Sequence, residues 1–193
     1  APLAPVEEKE PRMSIPPFLV GERVTLRTLE PEDAPILRGF LNNVEVTRNI
    51  TVVRPVSLQD ELDFIETMRK GADKITFGLC LKEDGRLIGV TSLMQIDTRN
   101  RHAAFGIIIG DPAEWNKGYG TEATRLMVDY AFRTQNLNRV WLRVYEYNPR
   151  GRRAYEKVGF KEEGTLRQDN YRDGRYWDTT QMSILRSDWG LAG

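Results

Sequence analysis

Cysteine is nearly absent from this chain of 193 residues, in which Cys80 is the only one. A single cysteine excludes an internal disulfide and any zinc site built from pairs of cysteines. No metal ion is therefore expected in the functional site. So little cysteine is typical of proteins in a reducing compartment, and a cytoplasmic location is predicted.

Long apolar runs are also lacking. The longest, such as residues 105–109, fall far short of the ~20 residues that span a bilayer, and the first residues carry no hydrophobic signal core. The sequence therefore predicts no association with a membrane.

An excess of charge of either sign is missing as well. Lys and Arg total 28 and Asp and Glu total 28, so no net field would attract nucleic acid or an anionic surface. A nucleic-acid partner is not expected, and any ligand must be recognised at a local site.

A chain of this length can bury most of its surface as one domain.

The first 17 residues differ in composition from the rest. They hold five prolines and the charged run Glu7-Glu8-Lys9-Glu10, which favours extended or disordered chain. Residues 1–17 are therefore predicted to be a flexible tail, and residues 18–190 to form the domain.

The first half of the domain shows one strand, two helices and a three-stranded meander. Residues 23–29 alternate as a half-buried strand does, and Pro31 starts a first helix that ends near Asn42. Ser57 caps a second helix, whose apolar residues repeat at helical spacing. Three strands follow at residues 75–81, 87–96 and 103–109, the first two joined through the turn dipeptide Asp84-Gly85.

The second half adds two helices and three strands. Apolar residues at i, i+3, i+4, i+7 and i+8 predict a helix over residues 121–134. A strand is predicted at 139–145, a short helix from Asn148-Pro149 to Val158, and two strands at 160–168 and 176–185. The order is β-α-α-β-β-β-α-β-α-β-β, which indicates an α/β domain.

A glycine-rich turn between a strand and a helix carries the clearest functional signal. Its residues, after Ile107, Ile108 and Ile109, are Trp115, Asn116, Lys117, Gly118, Tyr119, Gly120 and Thr121. Free amides at a helix start bind anions, glycine lets the backbone approach closely, and a lysine adds charge. A pyrophosphate fits such a site. The spacing excludes a nucleoside-triphosphate P-loop and a dinucleotide fingerprint.

Two segments resemble the GNAT acetyltransferases, and within them the RimJ/RimL-type branch. The first is the turn from Trp115 to Ala123, and the second is Asn148-Pro149-Arg150-Gly151-Arg152-Arg153-Ala154-Tyr155-Glu156-Lys157-Val158-Gly159-Phe160. The resemblance extends over residues 19–189. It implies the GNAT fold, a mixed and mostly antiparallel sheet with a splayed pair of strands and helices on both faces.

The resemblance also implies a cofactor and roles for individual residues. Acetyl-CoA would lie between the strands at residues 107–109 and 139–145, with its pyrophosphate on the glycine turn and its arm bonded to Asn148. Tyr155 would act as general acid towards the leaving thiol. A strand amide near Ile108 would stabilise the oxyanion that forms when an amine attacks the thioester.

The sequence shows no obvious general base. Where relatives carry glutamates, this chain has Ala104 and Arg143, which leaves His102, Glu146, water or no base at all. Neutralising an amine at pH 7 costs on the order of 1 kcal/mol for an α-amine and roughly 4 to 5 for a lysine-like amine. The missing base therefore favours amines of low pKa.

The acceptor is predicted only as a small-molecule or peptide amine. Similarity to bacterial spermidine acetyltransferases keeps polyamines among the candidates, beside protein N-termini, aminoglycosides and amino acids. Asn42, Asn43, Glu45 and Trp177 are candidate acceptor residues. A homodimer or larger homo-oligomer stays open. An acetyl-CoA-binding sensor or assembly module without transfer, and a structural protein with an empty turn, are the alternatives.

Overall fold

The computed structural model describes residues 15–191, apart from the side chain of Arg69. Most of the predicted tail, residues 1–14, lies outside the described residues, and residues 15–17 form no regular element.

One sheet of eight strands runs through the described residues. The strands are β1 Leu19–Val20, β2 Val24–Arg27, β3 Ile75–Leu81, β4 Leu87–Asp97, β5 His102–Ile109, β6 Arg139–Tyr145, β7 Lys161–Arg172 and β8 Arg175–Leu185. Their spatial order is β1-β2-β3-β4-β5-β6-β8-β7. Every neighbouring pair is antiparallel except β5 and β6, which are parallel.

Helices cover both faces of the sheet. They are α1 Ala34–Leu41, α2 Val44–Thr47, α3 Leu58–Lys70, α4 Tyr119–Arg133 and α5 Pro149–Val158. Ser57 caps α3 by accepting a hydrogen bond from the Asp60 amide at 3.1 Å, within a capping box. Gly159 ends α5 in the left-handed conformation at φ +113°, which glycine adopts without strain.

The two faces of the sheet bury separate cores. Alternate residues of β3 show this: Leu79 and Leu81 belong to the larger core with Met127 of α4, while Cys80 belongs to a smaller core with Ile65 of α3. Each fully buried side chain of this size contributes roughly 1.5 to 3 kcal/mol through the hydrophobic effect. The sheet is therefore fixed between α4 and α5 on one side and α1 and α3 on the other.

The parallel pair of strands separates after three residue pairs. β5 and β6 are paired at His102↔Arg139, Ala103↔Val140 and Ala104↔Trp141, and no pairing between these two strands continues towards Ile109. The end of β5 and the second half of β6 thus form the two arms of a V-shaped gap. This is the splayed pair that the resemblance predicted.

The predicted mixed sheet and element order are confirmed, with four differences. β1 and the short helix α2 were not predicted, and β7 continues to Arg172 rather than ending at Gln168. The first predicted helix is divided: a 3-10 turn, Pro31–Asp33, precedes α1.

Candidate functional site

A cleft occupies the gap between β5 and β6. Its cavity volume is about 270 Å³. It is lined by the end of β5, the glycine turn, the start of α4, the second half of β6, α5 and the segment that contains the end of α2. Of the twelve predicted site residues, eleven line the cleft, and Lys117 does not.

The glycine turn has the backbone conformation that an anion cradle needs. Gly118, the residue before α4, has φ +89°, and Asn116 has φ +63°. The amides of the first turn of a helix have no intrahelical acceptor and point towards its N-terminal end. Arg23 supports the turn from outside, because its Nη1 donates to the Lys117 carbonyl at 2.9 Å. The turn therefore presents free donors to the cleft.

Lys117 is held away from the predicted phosphate site. Its Nζ donates to Glu114 Oε2 at 2.9 Å, and Arg86 Nη2 donates to the other carboxylate oxygen at 2.6 Å. Glu114 is 7% exposed, and its pKa is lowered mainly by the hydrogen bond from Lys117 and then by that from Arg86. The charge of Lys117 is therefore balanced within the protein. The spacing of three residues between Glu114 and Lys117 was the sequence signal for this pair.

Arg150 supplies a positive charge that the sequence analysis missed. Its Cζ lies 3.8 Å from the centre of the Trp115 ring, a cation–π contact across the cleft. Burial lowers the pKa of Arg150, and among residues 15–191 no carboxylate forms an ion pair with it. In the sequence, the position of Arg150 two residues after Asn148 was the signal that could have identified it as a cleft residue.

The end of β5 offers two backbone amides to the cleft. The Gly110 amide donates to the Ile88 carbonyl of β4 at 2.8 Å. Because alternate residues of an antiparallel strand point the same way, the Ile108 amide also faces β4, and those of Ile107 and Ile109 face the gap. The amides near Ile108 that could serve as the predicted donor are therefore those of Ile107 and Ile109. The Ile109 carbonyl, on the same side, accepts a hydrogen bond from Trp115 Nε1 at 2.9 Å.

Asn148 begins α5 with its amide beside the cleft. Its Oδ1 accepts a hydrogen bond from the Gly151 amide at 3.0 Å and so caps the helix. A Cβ at position 151 would lie 2.8 Å from Asn148 Nδ2, which explains the glycine there. With Oδ1 used by the cap, Nδ2 is the group that can donate to a ligand.

Tyr155 lies on the wall of the cleft formed by α5. Its ring packs edge-on against Phe105, with centroids 6.2 Å apart and planes at 88°, and it also contacts Phe160. Burial raises the pKa of Tyr155 to about 12. The phenol therefore stays protonated at ordinary pH and can donate a hydrogen bond into the cleft, to which it remains partly exposed.

Neither candidate base lines the cleft. His102 pairs with Arg139 at the closed end of the V, five residues before Ile107, or about 16 Å at ~3.3 Å per residue. The Glu146 amide donates to the Asp178 carbonyl at 3.1 Å, and its carboxylate accepts from the Asp178 amide at 3.4 Å. His102 is too far away to act as the base, and Glu146 stabilises the end of the β6–β8 pair.

The predicted acceptor residues also lie outside the cleft. Asn42 bonds to both the amide and the carbonyl of Val56, Asn43 caps α2, and Glu45 is exposed on α2. Trp177 donates to the Arg172 carbonyl. Asn42, Asn43 and Trp177 thus stabilise the surrounding loops through hydrogen bonds to the backbone.

Other residues line the cleft near the predicted acceptor residues of α2. They are Val46, Asn49 and Ile50, from α2 and the segment after it, and Arg143 and Tyr145 of β6.

Comparison with known proteins gives consistent results. Residues 23–161 match the model of the acetyltransferase (GNAT) domain. The uncharacterized N-acetyltransferase p20 of Bacillus licheniformis is 32% identical over 89% of this chain and 97% of its own. The spermidine N(1)-acetyltransferase of Vibrio cholerae is 34% identical over 88% and 97%. A crystal structure of spermidine N-acetyltransferase from Vibrio cholerae with CoA and spermine has a TM-score of 0.80 and 29% identity, covering 88% and 99%.

Proposed function

Because the chain belongs to the GNAT acetyltransferase family, we propose that its cleft transfers the acetyl group of acetyl-CoA to a primary amine, with Tyr155 as general acid. The observation that carries the proposal is the V-shaped gap between β5 and β6, which has a phosphate-binding turn beside it and a protonated phenol in its wall.

The residues of the cleft fit each part of coenzyme A. The free amides at the start of α4 and the guanidinium of Arg150 suit the pyrophosphate. The gap-facing amides of Ile107 and Ile109 and the Nδ2 donor of Asn148 suit the amide-containing arm. When bound, acetyl-CoA supplies a thioester, whose carbonyl carbon is the electrophile.

At the carbonyl carbon, the reaction forms a C–N bond and breaks the C–S bond. The amine nitrogen attacks the carbonyl carbon, the C=O electron pair moves to oxygen, and the Ile107 amide donates to that oxyanion. The oxyanion then re-forms C=O as the C–S bond breaks, and Tyr155 gives its phenol proton to the departing sulfur. The nitrogen loses its proton to water, from which the phenolate is reprotonated.

Proton transfer from Tyr155 depends on the charge of the intermediate. A pKa of about 12 exceeds that of a thiol, about 8.5, by about 3.5 units, or about 5 kcal/mol. A positive charge on the attacking nitrogen lowers the pKa of a nearby phenol. That charge therefore reduces the cost of the transfer.

A charge substitution in the glycine turn tests the proposal. Gly118→Glu forces a side chain onto a positive φ, with its Cβ 3.0 Å from Arg23 Nη2, so it should distort the anion cradle and abolish the CoA binding measured by calorimetry. Gly174→Glu is the matched control, since Gly174 has φ +80° and no atom within 4 Å of an added Cβ. Equal CoA affinity in the Gly118 variant would show that this turn is not the phosphate site.

Finer assignments belong to the same proposal. The RimJ/RimL-type branch is supported by the segments from Trp115 and Asn148. The absence of a histidine or an unpaired carboxylate among the described cleft residues supports an amine of low pKa. Cytoplasmic location, the lack of a nucleic-acid partner and self-association stay predictions. No helix of the described part is long and apolar enough to cross a membrane.

The module that binds acetyl-CoA without transfer keeps one supporting observation. Ala104 and Arg143 stand where some relatives have glutamates. Tight CoA binding with no thiol release across polyamines, aminoglycosides, amino acids and N-terminal peptides would favour it over the enzyme.

A further inference from the structure

The cleft opens on both faces of the sheet, and β6 shows which residues belong to each. Val140, Leu142 and Val144 point into the core beneath α4. Because side chains alternate along a strand, Arg143 and Tyr145 point to the opposite face. There they line the cleft with Asn49 and Ile50. We call this opening, formed by Val46, Asn49, Ile50, Arg143 and Tyr145, the α2-side mouth.

The α2-side mouth has a positive charge. Arg143 is the one ionised residue among its five members, and its side chain is 50% exposed. Asp169 is the nearest carboxylate, with 4.0 Å between its Oδ2 and Arg143 Nη1, the limit of an ion pair. The guanidinium therefore keeps most of its donors available to a ligand.

The carboxylates around the cleft offset this charge only in part, through Asp169 at the limit of an ion pair. Glu114 is the one acidic residue among the described residues that line it, and it is bound by Lys117 and Arg86. Beside the mouth, Asp173 pairs with Arg48 at 3.2 Å.

A neighbouring arginine fixes the shape of the mouth without neutralising it. Arg172 Nη2 donates to the Ile50 carbonyl at 3.2 Å and holds this segment in place. In these contacts, three guanidinium groups, of Arg143, Arg172 and Arg48, meet two carboxylates, of Asp169 and Asp173, so they provide no surplus of carboxylates to a chain of ammonium groups.

We propose that the acceptor is a primary amine that also carries a carboxylate, and that Arg143 binds this carboxylate at the α2-side mouth. A guanidinium binds carboxylates through paired, charge-assisted hydrogen bonds. The second ammonium of a polyamine would instead meet a like charge. The inference rests on the proposed acetyl transfer, and it separates this chain from the polyamine class that its resemblance suggested.

Three primary amines of equal length test the inference: 4-aminobutanoate, butylamine and 1,4-diaminobutane. They differ only in the group opposite the amine, which is anionic, neutral or cationic. For the wild type, kcat/KM in a thiol-release assay should be at least about tenfold higher for the aminobutanoate than for the diamine. A tenfold difference corresponds to about 1.4 kcal/mol.

Substitutions at Arg143 should change the order of these substrates. In Arg143→Gln the ratio between aminobutanoate and diamine should approach one, and in Arg143→Glu it should invert. Arg167→Gln, an exposed arginine of β7 outside the cleft, controls for the loss of overall charge and should keep the wild-type ratio. CoA affinity measured by calorimetry shows that each variant is folded.

Two results would overturn the inference: a wild-type preference for the diamine, and an unchanged ratio in Arg143→Glu. Turnover of none of the three amines by a chain that binds CoA would instead count against the proposed transfer. Absence of CoA binding by the wild type would be a failure of the proposed function itself, and calorimetry detects it before any amine is added.

Discussion

At the scale of single residues, the cleft combines a protonated phenol with an unpaired guanidinium. The pKa of Tyr155 is raised to about 12 because its ring is enclosed by Phe105 and Phe160. Burial also lowers the pKa of Arg150, which stacks on Trp115. Both groups stay in their donor forms at neutral pH, so one can act on the reacting sulfur and the other on a phosphate.

Tyr155→Phe removes the hydroxyl and keeps the ring. We expect kcat to fall by about 10² to 10⁴-fold, the usual contribution of a general acid, while CoA affinity changes little. In the wild type, loss of activity through ionisation of Tyr155 should begin only as the pH approaches 12, not near 10. Stopped-flow thiol release and calorimetry measure the two effects. Undiminished kcat would remove the role assigned to Tyr155.

Arg150→Gln and Lys117→Gln compare two nearby cations. Because Arg150 faces the cleft and Lys117 is bound to Glu114, the first change should weaken CoA binding about tenfold or more, as expected for a hydrogen bond to a charged group. The second should leave CoA affinity within about threefold. Calorimetry measures both. A larger loss in Lys117→Gln would return the phosphate contact to that lysine.

At the scale of elements, the two turns that follow β5 and β6 bring the site together. The first begins α4 at Gly118 and the second begins α5 at Asn148. The stack of Arg150 on Trp115 connects them across the gap. Each turn is a local structure fixed by its own glycine or cap, so the site depends on local sequence as well as on the sheet.

Asn148 has two separable roles, and two substitutions distinguish them. Asn148→Ala should destabilise α5 by about 1 kcal/mol through loss of the cap and should also weaken CoA binding. Asn148→Ser keeps an oxygen that can accept from the Gly151 amide, so it should retain stability and lose only affinity. Urea unfolding and calorimetry give the two quantities. If Asn148→Ser binds CoA as the wild type does, Nδ2 makes no contact with it.

Local sequence signals explain which elements were predictable. The bounds of α5 follow from Asn148-Pro149 at its start and Gly159 at its end, and the structure gives Pro149–Val158. α2 escaped prediction because it has four residues, three of them β-branched, and starts from the cap of Asn43. The end of β7 escaped because Gln168 has φ +54° and a register shift between Leu166 and Asn170 interrupts the alternation.

At the scale of the whole molecule, the parts of the site that could be predicted are those encoded by a short local segment of sequence. The glycine turn and the Asn148 segment could be recognised because each is a short run of sequence. Glu114 binds Arg86, 28 residues away, and the side chains of the α2-side mouth come from residues 46–50 and from β6. Such contacts depend on tertiary structure, which spacing along the chain does not encode.

The separation of β5 from β6 also leaves unpaired backbone in the middle of a sheet. Unpaired strands recruit other polypeptides and promote aggregation, so proteins keep such segments short or covered. Here the open part of β5 is limited to the few residues after Ala104, and the Ile109 carbonyl already accepts a hydrogen bond from Trp115 Nε1. The Trp115 indole thus prevents another chain from pairing with this carbonyl, while the gap-facing amides of β5 stay available to a small ligand.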